Sequence, residues 1–345
     1  MNVYLRNPVD ADPAVGTPSP EPYGHASGSA KAFLSLIVPV YNDWTALDKC
    51  LQSLSEQTNP PEFEVVVVDD SSDHVTPRYI HRWHSFYPLT IVRSPHAGVA
   101  AARNHGIRIS KGAILVFTDA DCQLDRHCLA ELSKAVQDCE HSWFQLRLTG
   151  DRSSLVGQTE DLRLTMLQDH LLDASGRLRY LNTAGFAVRR ERVDIEKGLF
   201  DPVAFRAEDT LLLSRLIQNG ELPFFVLTAI IKHAIPLSLT ACLRKDVRCA
   251  YLEASTFLMI ASLGVRIRVS QWERLRILCS TWKASRHRRS AWWVLMCRQM
   301  LRRLTGLVWR VFNFSKLPLW SAPANRRLLL RLGGAEKKFL FGIRC

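Results

Sequence analysis

The sequence lacks any apolar run of the roughly 18–20 residues that a membrane-spanning helix requires, so an integral membrane protein is not expected. It also lacks a CxxC pair among its nine cysteines, which disfavours a zinc site or a disulfide scaffold and favours reduced cytosolic thiols. No basic segment followed by an apolar one is visible near Met1, so we expect no secretory signal. What is present is the composition of a globular protein of 345 residues, 47% hydrophobic and 23% charged.

Acidic residues are scarce in the C-terminal part of the chain. Residues 266–345 contain 19 Lys and Arg against two Glu, a net charge of +17, so the first 265 residues contribute −5 to the overall +12. Six of the nine Trp lie in the same segment. A basic, Trp-rich tail on a mildly acidic body indicates an anionic partner for the tail, such as lipid or nucleic acid.

Short apolar strands alternate with helical segments between Phe33 and Phe117. This alternation predicts an α/β fold with a mostly parallel central sheet. Polar clusters follow three of the predicted strands, at residues 39–42, 69–73 and 119–121. Ligands of such sheets bind beyond the carboxyl ends of the strands, so the three clusters are expected to share one site. Residues 141–185 mix strand-like and helical patterns, and their elements cannot be assigned.

Asp119 and Asp121 are the first candidates for chemistry. Two carboxylates one residue apart at a strand end can face the same cavity, where their charges repel and burial is unfavourable. Mg²⁺ or Mn²⁺ bound to the phosphates of a substrate relieves both effects. A solvated turn is the alternative interpretation, because Asp-x-Asp is common by chance.

Two further clusters add candidate ligands for a nucleotide. Asp69 and Asp70 follow four valines and are placed to accept hydrogen bonds from a base or ribose, although Ser71 or Ser72 could instead cap a helix here. Arg103 lies in a helix that opens with small residues, and it could reach a base or a phosphate. A surface salt bridge is the other interpretation of Arg103.

These clusters belong to a longer series of motifs in a fixed order. The series comprises VPVYN at 38–42, VVVDDSSD at 66–73, GVAAARNHG at 98–106, FTDADC at 117–122, NTAG at 182–185, GLFD at 198–201 and FRAED at 205–209. It resembles family 2 glycosyltransferases of the GT-A fold, closely over residues 33–130 and more weakly to about residue 262. The resemblance implies a Rossmann-like nucleotide-diphospho-sugar transferase fold, to which this chain adds a helical basic C-terminal region.

The resemblance also assigns roles to the matching residues. Six of them are expected to bind the nucleotide-diphosphate sugar: Pro39, Tyr41, Asp69, Asp70, Arg103 and Asp119. Of these, Arg103 is expected at the base or a phosphate and Asp119 near the ribose. Asp121 is expected to hold Mg²⁺ or Mn²⁺ against the diphosphate. His233 sits where many members complete the metal site, although a lone His can also be purely structural.

The Glu208-Asp209 pair resembles the catalytic ED motif of the family. Asp209 is expected to accept the proton of the acceptor hydroxyl, while Glu208 is either part of the catalytic pair or only a helix cap. The hydroxyl then attacks the anomeric carbon from the face opposite the leaving nucleoside diphosphate, and this single displacement inverts the configuration. The expected acceptor is a saccharide, a lipid-linked saccharide or a polysaccharide precursor.

The chain departs from the processive synthases of this family in two respects. Their QxxRW motif is absent, because Leu275 follows the segment Gln271–Arg274. Their flanking transmembrane helices are also missing from the sequence. Transfer of one sugar, or of a few, is therefore favoured over sustained polymerisation with export.

The basic tail contains two apolar stripes at helical spacing. One runs through residues 293–311, with Arg298, Arg302 and Arg310 outside it, and the other through residues 272–282. Such helices are typical of an anionic membrane interface, so we expect a cytoplasmic protein peripheral to the inner face of the plasma membrane. A helix packed on the catalytic domain with a solvated basic face is the alternative. Nucleic acid is not expected as a partner, since no binding motif accompanies the charge.

The expected organisation has three parts. These are a flexible leader at 1–30, a GT-A domain at 31–262 with its nucleotide-sugar half at 31–130 and its acceptor half at 131–262, and the basic tail at 263–345. Two other functions are the alternatives for this arrangement. A sugar-phosphate nucleotidylyltransferase would carry a Gly-rich basic loop where residues 41–44 stand. A non-catalytic membrane or nucleic-acid binder would have no need of Asp119, Asp121 and Asp209 together.

Overall fold

The computed structural model describes residues 34–202, 204, 206–234, 238–263 and 271–313. Within these ranges the strands are β1 (Leu34–Val40), β2 (Phe63–Asp69), β3 (Leu89–Arg93), β4 (Ile114–Phe117), β5 (Cys122–Leu124), β6 (Trp143–Gly150), β7 (Phe186–Arg189) and β8 (Phe224–His233). The helices are α1 (Trp44–Ser55), α2 (Val99–Ile109), α3 (Cys128–Asp138), α4 (Leu155–Leu171), α5 (Glu208–Gln218), α6 (Leu239–Ser262), α7 (Gln271–Ala284) and α8 (Arg289–Asn313). Short 3₁₀ helices occupy Arg78–Ser85, Thr183–Gly185 and Arg190–Arg192. The expected leader, residues 1–30, lies outside the described residues.

The strands form one sheet in the order β3-β2-β1-β4-β7-β6-β8-β5. From β3 to β4 every neighbouring pair is parallel, as the sequence predicts. Strand β7 reverses the direction and pairs antiparallel with both β4 and β6, while β6 and β8 are parallel and β5 is antiparallel to β8. The pairing of β6 with β8 contains an irregularity, because Leu146 faces Val226 but Arg147 faces Ile230. Residues 227–229 therefore bulge out of β8.

The core surrounds the parallel half of the sheet. Strands β1 and β4 are buried along their whole length, as expected for strands covered by helices on both faces. Helix α1 presents Leu47 and Leu51 to one face of the sheet. Helix α2 lies close against the other face, since a Cβ at Gly106 would approach Cγ2 of Ile37 to 2.4 Å. This close contact holds the C-terminal half of α2 against β1 and β2.

The unassigned stretch 141–185 consists mainly of β6 and α4. Helix α4 buries polar side chains together with apolar ones, among them Thr159, Glu160, Asp161 and Gln168. Gln168 replaces missing strand partners of β6, since its side chain bonds to both the backbone N–H and the carbonyl of Leu148 at 2.8 Å. A helix whose buried face is polar has no clear apolar stripe, and this explains why its pattern in the sequence was ambiguous.

Helix α8 packs on the domain in an unexpected orientation. Trp292 and Leu295 contact Leu162 of α4, and the guanidinium of Arg298 donates to both carboxylate oxygens of Asp246 in α6 at 2.7 and 3.2 Å. Arg302 donates to Glu253 at 2.6 Å. The alternative of a solvated basic face is therefore wrong for these two arginines, which turn inward.

The apolar stripes of the two last described helices face outward instead. Five side chains of α8 are each more than half exposed, namely Trp293, Met300, Leu304, Leu307 and Val308. On α7 the exposed apolar side chains are Trp272, Leu275, Leu278 and Trp282. We call these nine residues the α7–α8 apolar face. In the described part of the chain, none of the helices combines the length and hydrophobicity needed to cross a bilayer. The side chains of Arg310 and Val311 and all of residues 314–345 lie outside what the structure describes.

Candidate active site

The loops after β1, β2 and β4 meet at one edge of the sheet because these strands are parallel neighbours. The loops after β1 and β2 are tied by reciprocal hydrogen bonds, in which Asn42 Nδ2 donates to Asp73 Oδ2 at 3.0 Å and Asp73 N–H donates to Asn42 Oδ1 at 2.8 Å. Asn42 adopts a left-handed φ of 58°, which its short polar side chain tolerates. The clusters after β1 and β2 thus lie side by side, as expected.

Asp69 and Asp70 anchor the surrounding loops. Asp69 is buried and accepts from the N–H of Ser72 at 2.8 Å. The two carboxylate oxygens of Asp70 accept from the N–H groups of Ala97 and Gly98 at 3.0 and 3.1 Å. These bonds hold the turn that starts α2, where Gly98 has the positive φ of 91°. The two acids therefore fix the conformation of the loops at this edge of the sheet.

Pro39 and Tyr41 lie at the end of β1. Pro39 is buried in the strand, whereas Tyr41 is 45% exposed. Tyr41 stacks at a tilt on His96, with ring centroids 4.7 Å apart, and Nδ1 of His96 lies 3.1 Å from Oδ2 of Asp70. Tyr41 thus offers a partly exposed aromatic surface at this edge of the sheet. His96 was not identified from the sequence, because nothing near it marks it as distinct from a surface His.

Arg103 occupies the centre of the site. Only 2% of its side chain is exposed, and its guanidinium donates to Asp119 Oδ1 at 2.6 Å and to Glu208 Oε1 at 2.5 Å. Burial alone would lower the pKa of Arg103, but the two carboxylates raise it above its usual range, so it stays charged. The surface salt bridge considered for Arg103 is therefore wrong in its location, because this ion pair is buried. Arg103 links the acids after β4 to the acids at the start of α5.

Asp121 and His233 meet through strand register. Strands β5 and β8 pair antiparallel with Cys122 opposite His233, and this places Oδ2 of Asp121 3.2 Å from Nε2 of His233. Burial would raise the pKa of Asp121, but the attraction of His233 and its hydrogen bond lower it. Burial would likewise lower the pKa of His233, while Asp121 raises it. Each partner therefore stabilises the charged form of the other.

A divalent cation fits these two side chains. The carboxylate oxygen of Asp121 and the imidazole nitrogen of His233 converge on the same space, with the thiol of Cys122 also within 4.8 Å. Burial raises the pKa of Cys122 far above its usual value, so it remains a neutral thiol and is a poor ligand for Mg²⁺ or Mn²⁺. One oxygen and one nitrogen leave most of an octahedral shell for phosphate oxygens and water.

Glu208 and Asp209 form the first turn of α5. Ala207 before them adopts a left-handed φ of 61°, which turns the chain into the helix. Asp209 accepts from the N–H and the hydroxyl of Thr210 at 2.6 and 3.1 Å, whereas Glu208 is committed to Arg103. Burial, followed by repulsion from Glu208, raises the pKa of Asp209 to about 7. The pair thus consists of one carboxylate neutralised by Arg103 and one held near the pKa of a general base.

A second layer of polar residues behind the site comes from α4 and the segment that follows it. Glu160 accepts two hydrogen bonds from Arg163, and its Oε1 lies 4.0 Å from Nδ1 of His233. The hydroxyl of Tyr180 accepts from Asn182 Nδ2 at 3.1 Å. Residues 160, 163 and 180 were missed from the sequence because they lie in the stretch whose elements could not be assigned. Asn182 belongs to the NTAG motif, which the sequence did identify.

Comparison with known proteins adds two kinds of similarity. Residues 35–196 match the model of glycosyl transferase family 2. Glycosyltransferase AglE of Haloferax volcanii is 39% identical over 97 residues, which make up 27% of this chain and 32% of that protein. The poly(ribitol-phosphate) beta-glucosyltransferase of Bacillus spizizenii is 35% identical over 92 residues, or 26% of this chain and 14% of that protein. These alignments span about a third or less of the length of either relative.

A solved structure is similar over most of the chain. The mannosyltransferase PcManGT from Pyrobaculum calidifontis, in complex with GDP-Man and Mn²⁺, superposes with a TM-score of 0.53 and 21% sequence identity. The similarity covers 89% of this chain and 81% of that one. At this level of identity it establishes the fold alone, and the GT-A architecture predicted from the sequence is confirmed.

Proposed function

On the premise that residues 35–196 belong to glycosyl transferase family 2, we propose that the chain moves a sugar from a nucleotide-diphosphate donor to a hydroxyl acceptor. The observation that carries the proposal is the bridge made by Arg103. Its guanidinium joins Asp119, which neighbours the candidate metal ligand Asp121, to Glu208, which neighbours the candidate base Asp209. A donor and an acceptor bound on either side of this bridge would have their reacting atoms close together.

The donor would lie along the edge formed by the loops after β1, β2 and β4. Tyr41 would contact the base, and Asp69, Asp70 and Asp119 would line the ribose or orient the loops around it. Asp121 and His233 would hold Mg²⁺ or Mn²⁺, which when bound neutralises the charge that develops on the departing diphosphate. Since one of the two ligands is an imidazole, Mn²⁺ is the better match of these cations.

Asp209 would act as the general base of the reaction. Its raised pKa lets it take a proton from the acceptor hydroxyl as that oxygen attacks the anomeric carbon. The bond to the diphosphate breaks on the opposite face of the sugar, so the product has the inverted configuration. Glu208 would remain paired with Arg103 and thereby maintain the position and pKa of Asp209.

The acceptor would be a saccharide or a lipid-linked saccharide used in building a polysaccharide. Two considerations support this class. The relative from Bacillus spizizenii is named a poly(ribitol-phosphate) beta-glucosyltransferase. In this chain, moreover, helix α4, which backs the candidate metal site, also contacts α7 and α8, where apolar and basic side chains are exposed together.

A screen of nucleotide sugars with Mn²⁺ tests the proposed reaction. We expect turnover of at least one donor. NMR of the product should show the anomeric configuration opposite to that of the sugar in the donor. Asp209→Asn should lower kcat by a factor of about 10² or more and leave the KM for the donor nearly unchanged. Asp169→Asn is the matched control, because Asp169 forms an exposed ion pair with Arg147 away from the site. Unchanged kcat in the Asp209 variant would contradict the assignment of the base.

We further propose that the α7–α8 apolar face lies on an anionic membrane at the cytoplasmic side of the cell. An apolar groove of about 420 Å³ opens between the two helices, lined by Leu278, Trp282, Trp292 and Trp293 among others. The exposed cations Arg274, Arg276, Lys283, Arg286 and Arg303 accompany it. This combination of aromatic side chains and cations suits the headgroup region of acidic lipids better than an apolar protein partner.

Vesicle sedimentation tests this surface without removing α8. Leu304→Glu combined with Leu307→Glu should reduce binding to vesicles of phosphatidylglycerol and phosphatidylcholine by at least tenfold. The control pair Val75→Glu and Phe86→Glu makes the same change in charge at exposed apolar residues outside α7 and α8, and it should bind nearly as the wild type does. Equal binding by both pairs would exclude the membrane surface, and a concentration-dependent dimer lost only in the first pair would indicate self-association instead.

A further inference from the structure

Glu160 is a buried carboxylate directly behind the candidate metal site. It is 4% exposed, and its Oε1 accepts from Arg163 Nη2 at 2.5 Å while facing Nδ1 of His233 at 4.0 Å. Its Oε2 accepts from Nε of Arg163 at 3.0 Å and lies 3.8 Å from Nη1 of Arg298 in α8. One carboxylate thus faces the imidazole of His233 and two guanidinium groups.

This arrangement is unusual for a purely structural ion pair. A buried carboxylate is costly unless it is neutralised, and Arg163 alone already provides a two-point contact. Arg298 Nη1 is nevertheless buried without a hydrogen-bond partner among the described residues. Glu160 is therefore a carboxylate that bonds Arg163 and in addition faces His233 and Arg298.

We propose that Glu160 is a positioning residue, which turns Nε2 of His233 toward Asp121 and the cation and is itself supported by Arg298 of α8. The inference rests on the metal site of the proposed function. A carboxylate facing Nδ1 favours the tautomer with the proton on that nitrogen, and the lone pair of Nε2 is then free for a metal. Carboxylates that hold a metal-binding His in this way typically affect metal affinity by a factor of about 10–100.

The proposal connects the C-terminal helix to the active site through a chain of charges. Arg298 is fixed by Asp246 of α6 through two hydrogen bonds, and Arg302 adds a third contact to Asp246 at 3.3 Å. The position of Glu160 therefore depends on the packing of α8 on α4 and α6. According to this inference, α8 contributes to metal binding as well as to the outer surface of the protein.

The inference is tested by titrating the full chain with Mn²⁺ in the absence of donor and at one fixed pH. The EPR signal of the free ion measures how much Mn²⁺ is bound. Glu160→Gln keeps the shape of the side chain but removes its charge, and we expect Mn²⁺ to bind about tenfold more weakly or worse. Asp169→Asn, on the same helix and also paired with an Arg, should bind Mn²⁺ as the wild type does. The variant Arg298→Lys should bind nearly normally, while Arg298→Met should be weakened.

A double-mutant cycle separates positioning from a general structural effect. If Glu160 acts through His233, then Glu160→Gln adds no further loss of Mn²⁺ affinity in the His233→Ala background. A loss of the same size in both backgrounds would overturn the proposal. The proposal would also be overturned if Glu160→Gln bound Mn²⁺ with wild-type affinity while His233→Ala bound it weakly. Should His233→Ala itself bind Mn²⁺ normally, the metal site of the proposed function fails and this inference fails with it. If Glu160→Gln does not fold, the comparison of Arg298→Lys with Arg298→Met tests the inference. Equal Mn²⁺ affinities of these two variants would then refute the inference.

Discussion

At the scale of single residues, the buried guanidinium of Arg103 is the strongest constraint on the site. The carboxylates of Asp119 and Glu208 lie more than 80 residues apart in the sequence, yet both form ion pairs with this side chain. Removing one member of a buried ion pair leaves an uncompensated charge, and this is far more costly than breaking an exposed pair. The stability of the fold and the geometry of the site therefore depend on the same residue.

Arg103→Met should lower the free energy of unfolding by about 3–5 kcal/mol, because Glu208 is left buried without its cation. Urea denaturation followed by circular dichroism measures the loss. Lys197→Met removes an exposed ion pair with Asp194 and should leave the urea midpoint nearly unchanged. Similar losses in the two variants would mean that the pair at Arg103 is screened by water.

The pKa of Asp209 predicts the pH dependence of the reaction. A base is active when deprotonated, so turnover should rise with pH through a limb near pH 7 and level off above it. Glu208→Gln removes the negative neighbour that opposes ionisation of Asp209, and the limb should move to lower pH. Profiles of kcat against pH at saturating Mn²⁺ measure the shift. A limb that stays in place would show that Glu208 does not influence the base.

At the scale of elements, sequence motifs predicted those strands and helices that have a simple pattern. The segments containing Val38–Asn42, Val66–Asp73 and Phe117–Cys122 were placed correctly because buried parallel strands are continuous apolar runs. The direction of β7 could not be inferred, since alternation of elements does not reveal an antiparallel strand inserted between parallel ones. Helix α4 was missed for a different reason, because its buried face carries Glu160, Asp161 and Gln168.

The contact between α4 and the end of β6 depends on glycine. A Cβ at Gly157 would lie 1.6 Å from the carbonyl oxygen of Asp151, so Gly157→Ala should displace the start of α4 and cost about 1–3 kcal/mol or more. Gly306 lies inside α8 with no neighbour within 4 Å of a Cβ, and Gly306→Ala should stabilise by up to about 1 kcal/mol. Thermal unfolding of both variants checks the prediction. Opposite signs are expected, and a neutral Gly157→Ala would contradict the close approach.

Helix α8 shows what a helical pattern cannot reveal. Its apolar stripe and its arginines were both visible in the sequence, but a pattern does not say which face meets the domain. The answer depends on acidic partners far away in the chain, namely Glu160, Asp246 and Glu253. Among the site residues, likewise, the motifs identified Arg103, Asp119 and Glu208 but not that Arg103 joins the two acids, because ion pairs between distant segments leave no local signal.

At the scale of the whole molecule, the boundary expected near residue 262 can now be tested. A chain that ends at residue 262 loses Arg288, Arg298 and Arg302, which pair with the buried acids Asp161 and Asp246 among others. We expect this shortened chain to be destabilised by several kcal/mol relative to the full chain, because buried carboxylates lose their cations. Solubility and the urea midpoint measure the effect. An unchanged midpoint would show that the tail is a separate unit.

The bulge at residues 227–229 has a consequence for how the length of β8 can vary. After the bulge the pairing resumes, so that residues 230–233 of β8 lie beside residues 147–150 of β6. Residues within a bulge have no partner on the neighbouring strand, and a change in their number is absorbed locally. Deleting one residue of the bulge is therefore expected to leave His233 beside Asp121, whereas deleting one residue after Ile230 would move His233 out of line with Asp121. The bulge thus tolerates insertions and deletions that the last four positions of β8 do not.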